Sequence, residues 1–242
     1  VHSRTFQEEL IMGTPTRFTN GIGTAAVTTG TGDYGMPDPT KWITYFNDFH
    51  KYVAGDWTIT TTEGGSGAAT EAVTDVQGGG LLVTNDDADN DADFFNLKGE
   101  SFKFVASKKT FFKARFKVSD ATQSDFVVGL QITDTTPLAV SDGVYFMKDD
   151  GDASLDFHVE KDGSDTTASA ISTVSDDTFL IVGFYYDGKS AIKYYVDDAH
   201  KGTSVTTNLP DDEELTVSFG IQNGAAAAKT MTVDYIFVSQ ER

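Results

Sequence analysis

From Asp56 onward, apolar and polar positions alternate with a period of two, segment after segment. Trp57, Ile59 and Thr61 alternate with Thr58, Thr60 and Thr62. Phe112, Ala114, Phe116 and Val118 alternate with Phe111, Lys113, Arg115 and Lys117. Phe126, Val128, Leu130 and Ile132 follow, and then Leu155, Phe157 and Val159 stand against Asp156, His158 and Glu160. Leu215, Val217, Phe219 and Ile221 stand against Thr216, Ser218, Gly220 and Gln222, and the last such run is Met231, Val233, Tyr235 and Phe237. Each pattern predicts a half-buried β-strand with one face on a core. Phe179 to Tyr186 is apolar at nearly every position, which predicts a central strand covered on both faces.

The segments are punctuated by Asp149-Asp150-Gly151, Lys161-Asp162-Gly163, Asp187-Gly188 and Asn223-Gly224, residues that supply the positive φ of tight hairpins. About a dozen short strands without intervening helical patterns predict an all-β antiparallel sandwich. No repeat of fixed period is present, which argues against propellers and solenoids. Trp42 to Val53 reads two ways. Trp42, Tyr45, Phe46, Phe49, Tyr52 and Val53 fit a helical stripe with Thr40 as N-cap, and the same stretch fits a strand over Ile43 to Phe46 followed by a turn.

Residues 1–41 differ in kind. They hold Pro15, Pro37 and Pro39, three of the five prolines, and are rich in Thr, Gly and Ala without a lasting apolar period. Phe6, Leu10, Ile11, Met12, Arg17, Phe18, Ile22 and Tyr34 are scattered through them as candidate anchors. The expected organisation is an extended N-terminal docking arm, 1–41, and a sandwich domain, 42–242. The arm is expected to lie on its own domain or on a neighbouring subunit.

The 242 residues carry 37 acids against 18 Lys and Arg, a net charge of -19. That balance argues against binding nucleic acid, whose phosphates need cationic contacts, and against an anionic membrane surface. No apolar run approaches the ~20 residues of a spanning helix. The opening residues carry no secretory h-region, so no signal peptide is expected. The absence of cysteine excludes disulfides and thiolate metal sites and fits assembly in a reducing cytoplasm.

Candidate chemistry is sparse. Asp89, Asp91 and Asp93 have the D-x-D-x-D spacing of hard-oxygen calcium ligands, with Glu100 in the twelfth position. Phe94 stands where the bend needs glycine, so a solvated acidic loop is the expectation and no metal or cofactor is assigned. Asp156, His158 and Glu160 share one face of one strand, the arrangement from which glycoside hydrolysis could be built. Ordinary polar decoration is the competing account. His2, His50, His158 and His200 lack metal spacing, no nucleophile elbow is present, and Gly78-Gly79-Gly80 reads as a loop. Tyr186 and Tyr195 are candidate glycan contacts.

Residues from about 42 to 242 resemble the concanavalin-A-like jelly roll of lectins and glucanases. The residues concerned are Tyr45-Phe46-Asn47-Asp48-Phe49, the strand Phe112 to Val118, Gly129-Leu130-Gln131-Ile132 and the closing Val233-Asp234-Tyr235-Ile236-Phe237-Val238. Laminarinase-type enzymes carry an E-x-D-x-(x)-E strand; Asp156, His158 and Glu160 depart from it at the first and central acids, which implies no activity. The chain as a whole resembles structural proteins of marine tailed bacteriophages. The matching motifs are Thr16-Arg17-Phe18-Thr19-Asn20-Gly21, Gly35-Met36-Pro37-Asp38-Pro39-Thr40 and Tyr45 to Phe49. This resemblance implies a non-enzymatic virion component, a capsid decoration or cement protein assembled in the host cytoplasm and displayed on the capsid exterior. Its implied partners are the major capsid protein and neighbouring copies of itself, with a glycan as a further ligand of the lectin-like alternative.

Overall fold

The computed structural model describes residues 39–242, and the sandwich lies within the compact unit Ile43–Arg242. The arm anchors Phe6, Leu10, Ile11, Met12, Arg17, Phe18, Ile22 and Tyr34 lie outside the described residues. Fifteen strands follow in chain order: β1 Trp42–Asn47, β2 Trp57–Thr62, β3 Thr70–Val73, β4 Leu81–Thr84, β5 Ala92–Leu97, β6 Thr110–Val118, β7 Ser124–Gln131 and β8 Gly143–Lys148; then β9 Ser154–Lys161, β10 Ser164–Thr173, β11 Leu180–Tyr186, β12 Ile192–Val196, β13 Ala199–Ser204, β14 Thr216–Asn223 and β15 Thr230–Glu241. Only two 3-10 turns, Ala54–Asp56 and Pro137–Ala139, interrupt them among the described residues.

The strands form two sheets. One has the order β13-β12-β11-β6-β15-β4-β3, with β1 also pairing to β15; the other has the order β10-β9-β8-β7-β14-β5-β2. β14 pairs antiparallel with both β5 and β7, and β6 with both β11 and β15. Consecutive strands pair locally in β3 with β4, β7 through β10 and β11 through β13, whereas β14 returns to pair with β5 and β7, and β15 with β4 and β6, from far earlier in the chain. The core between the sheets is aromatic. Phe95 stacks on Phe219 at 4.8 Å, and Trp57 meets Phe219 edge-on at 5.2 Å. Burying each such ring contributes about 1.5–3 kcal/mol.

The turn signals act as expected in most places. β9 and β10 are joined by Asp162 (φ 51°) and Gly163 (φ 70°), and β12 and β13 by Asp197 (φ 51°) and Asp198 (φ 60°). Two consecutive positive φ values give the primed turn whose twist matches the strands it joins. Gly224 is an exception. It has no positive φ, and what it needs is space, because a Cβ there would lie 2.3 Å from the Cβ of Asp150.

One open reading is resolved and two expectations change. The 42–53 segment is strand β1 followed by a turn, with Phe49 in the left-handed region at φ 44°, and not a helix. β7 and β14, expected to be half-buried, are covered on both faces apart from Gln222. The cover comes from the segment between β7 and β8, whose Leu138 and Val140 join Ala92, Phe94, Val127, Tyr145 and Met147 in a second apolar cluster. Conversely β11, expected to be covered on both faces, keeps Ile181 and Tyr185 half-buried on its outer side, where no second layer lies among the described residues.

Candidate functional site

The acidic row of β9 lies on the outer face of the seven-stranded sheet, and every member is engaged in holding strands. Asp156 accepts the backbone N–H of Ala170 at 2.6 Å, at the bulge of β10. His158 pairs through Nδ1 with Asp165 at 2.8 Å and stacks on Tyr145 at 5.1 Å; its Nε2 is buried without a partner. Glu160 accepts the Tyr145 hydroxyl at 2.6 Å. Burial raises the pKa of Glu160 against the opposing hydrogen bond of Tyr145, and burial followed by Glu160 raises that of Tyr145. The middle of this face is filled by the Leu138–Val140 cluster, so the row borders an apolar plug.

The calcium spacing does not survive folding. Asp93 enters β5 and runs extended toward Leu97, so Glu100 is carried away to accept the backbone N–H of Thr133 at 2.7 Å. Asp89 is exposed. Asp91 is fully buried and caps its own surroundings, accepting Gly64 N–H at 2.5 Å and Ala88 N–H at 2.9 Å. Folding assembles a different group, Glu63, Asp86 and Asp91, whose carboxylate oxygens lie within 4.8 Å of one another. These are the residues that could hold a hard cation, and Glu63 and Asp86 stand outside the D-x-D-x-D spacing. Asp93 instead accepts Thr61 Oγ1 at 2.5 Å and faces Glu71 and Glu63. Burial, reinforced by those two acids, pushes its pKa up to about 7. Burial, Glu71 and Asp93 likewise push the nearby Tyr52 up to about 12.

Of the two candidate glycan tyrosines, Tyr186 is buried, edge-on against Phe104 at 5.6 Å, and offers no face to a ligand. It alternates with Tyr185, so it shares the inward side of β11 with Phe184. Tyr195 lies on the outer face of the eight-stranded sheet. There it borders a depression of about 190 Å³ together with Phe111, Lys113, Ile181, Gly183 and Asp198. Sequence reasoning missed this place, although Gly183 inside an otherwise bulky strand was its signal: an interior strand glycine marks a close approach or an opening.

No family model and no curated protein match the chain. Solved structures do. A protein of unknown function from Shewanella oneidensis MR-1 is 14% identical at a TM-score of 0.58, covering 83% of this chain and 87% of its own. An endo-1,3-β-glucanase from Streptomyces sioyaensis is 13% identical at 0.58, covering 85% and 99%. The carbohydrate recognition domain of Emp46p in its potassium-bound form is 11% identical at 0.54, covering 79% and 94%. Catalysts and binding domains alike share this architecture, and at such identities the likeness concerns the fold. The fold is the concanavalin-A-like antiparallel sandwich.

Proposed function

We propose that the chain is a non-enzymatic structural component of a phage virion, a capsid decoration protein that docks through residues 1–41. The observation that supports the non-enzymatic part is the engagement of Asp156, His158 and Glu160 in bonds that tie β8, β9 and β10 together. A retaining glycosidase needs two carboxyl groups roughly 5 Å apart and free to flank a glycosidic bond, whereas these carboxylates serve backbone, tyrosine and strand pairing. The virion part rests on the order of the motifs Thr16–Gly21, Gly35–Thr40 and Tyr45–Phe49. Many copies on a shell let weak docking contacts accumulate. Deleting 1–41 should abolish co-sedimentation with capsids while circular dichroism still reports the β-sandwich. Undiminished capsid binding overturns the docking role. Hydrolysis of laminarin that Glu160→Gln removes overturns the non-enzymatic reading.

A second reading, carbohydrate binding, is favoured by the half-exposed aromatic side chains Phe111 and Tyr195 around Gly183. The sharing of this fold with a carbohydrate recognition domain and a glucanase is compatible with it.

A further inference from the structure

We infer that the outer face of the eight-stranded sheet carries a binding site for a neutral oligosaccharide, centred on Gly183. This rests on the carbohydrate-binding reading and narrows it to one face and one ligand class.

Strand register places Lys113 of β6, Gly183 of β11 and Tyr195 of β12 side by side in one row across the sheet. Gly183 contributes no side chain, so the row has a gap walled by its neighbours. A glycine in a strand interior is unfavourable relative to alanine. Here a Cβ would also press on the Phe112 carbonyl at 2.9 Å, so close strand packing keeps the gap open. The walls are apolar on several sides, with Phe111, Ile181 and the ring of Tyr195, which is steadied by His200 at 5.4 Å.

The rim decides the ligand class. Lys113 Nζ and Asp198 Oδ1 are paired at 2.5 Å, so the site offers a strong donor and a strong acceptor with no net charge. A polyanion would meet Asp198 and a chain of net charge -19. A wholly apolar ligand would bury the ion pair without replacing its water, which is costly. A sugar ring suits both features. Its C–H faces lie on aromatic rings through weak C–H···π contacts, and its hydroxyls both donate and accept at a charged rim.

The aromatic surface continues beyond the gap. Phe111 meets Phe237 of β15 at 5.8 Å, and Phe237 meets Phe46 of β1 at 6.4 Å, with Phe46 61% exposed. From β12 to β15 is three strand spacings, about 14 Å. A row of rings running across the strands fits a linear oligosaccharide better than a single sugar.

The test uses the full chain. Laminarihexaose, cellohexaose and mannohexaose are titrated calorimetrically into the wild type, Tyr195→Ala, Phe111→Ala and Glu160→Gln, with thermal melts to confirm folding. At least one hexasaccharide should bind the wild type, tenfold or more weakly after Tyr195→Ala and after Phe111→Ala, and unchanged after Glu160→Gln. Binding that survives the first two changes but is lost with Glu160→Gln overturns this site and keeps the carbohydrate reading. No heat with any of the three overturns both. If no sugar binds and sedimentation shows self-association that Tyr195→Ala abolishes, the face belongs to contacts between copies and the inference fails.

Discussion

At the scale of single residues, Asp93 stands far from the ordinary chemistry of an aspartate. It is fully buried, bonded to Thr61, and surrounded by Glu71 and Glu63 without a cation among its described neighbours. Its folded pKa, about 7, lies well above the ordinary aspartate value of about 3.9. The folded chain therefore holds this proton more tightly than the unfolded one. The linked stability is fully present below about pH 4 and is lost as the pH rises through about 7. Asp93→Asn keeps an acceptor for Thr61 and removes the charge. The variant should melt above the wild type at pH 8, by several degrees for a gain of about 1–3 kcal/mol, with the difference shrinking toward pH 4. Scanning calorimetry at the two pH values checks this, and a variant less stable at pH 8 would refute it.

At the scale of elements, β14 shows how closely the strands approach. It is held between β5 and β7, and Phe94 of β5 leans over Gly220, where a Cβ would lie 2.4 Å from the Phe94 ring and 2.5 Å from the Asp93 carbonyl. Phe94 cannot retreat, because Leu138 and Val140 close over the same face. Gly220→Ala must push strands apart, and overpacking of this kind costs about 1–3 kcal/mol. Urea unfolding should show a lower midpoint with an unchanged slope; an unchanged midpoint would mean that the face yields easily. The alternation over Thr216 to Gln222 made β14 legible as a strand. The second cover was not legible, because the residues that supply it, Leu138 and Val140, sit in a loop without period.

At the scale of the whole molecule, the charge of -19 is spread over the acids of turns, such as Asp197 and Asp198, and over the acidic end near Glu63, Asp86 and Asp91. Several of the cations are already committed locally. Lys113 pairs with Asp198, Lys117 with Asp177, Arg115 with Asp234 and Lys229 with Asp120. The remaining excess of acid repels itself across the surface. Raising NaCl from about 10 mM to about 300 mM shortens the screening length from about 30 Å to below 10 Å. The melting temperature should therefore rise over that range, and a flat or falling curve would show that the local ion pairs outweigh the net repulsion.

The sequence by itself determined the elements and their class: the period of two over Phe111 to Val118 or Leu155 to Glu160, and positive-φ turns such as Asp162-Gly163, are local properties of the backbone and its nearest side chains. Period alone sorts residues onto two faces. It does not say which face looks inward or what covers the other, and so Tyr186 and Tyr195 could not be told apart as ligand contacts before the sheets were assembled. Only the tertiary structure placed Gly183 between Lys113 and Tyr195, gathered Glu63 with Asp86 and Asp91 in place of the D-x-D-x-D set, and tied Glu160 to Tyr145. Each of those juxtapositions joins residues from different segments, and strand order, a non-local outcome of packing two sheets on one aromatic core, decides which segments meet.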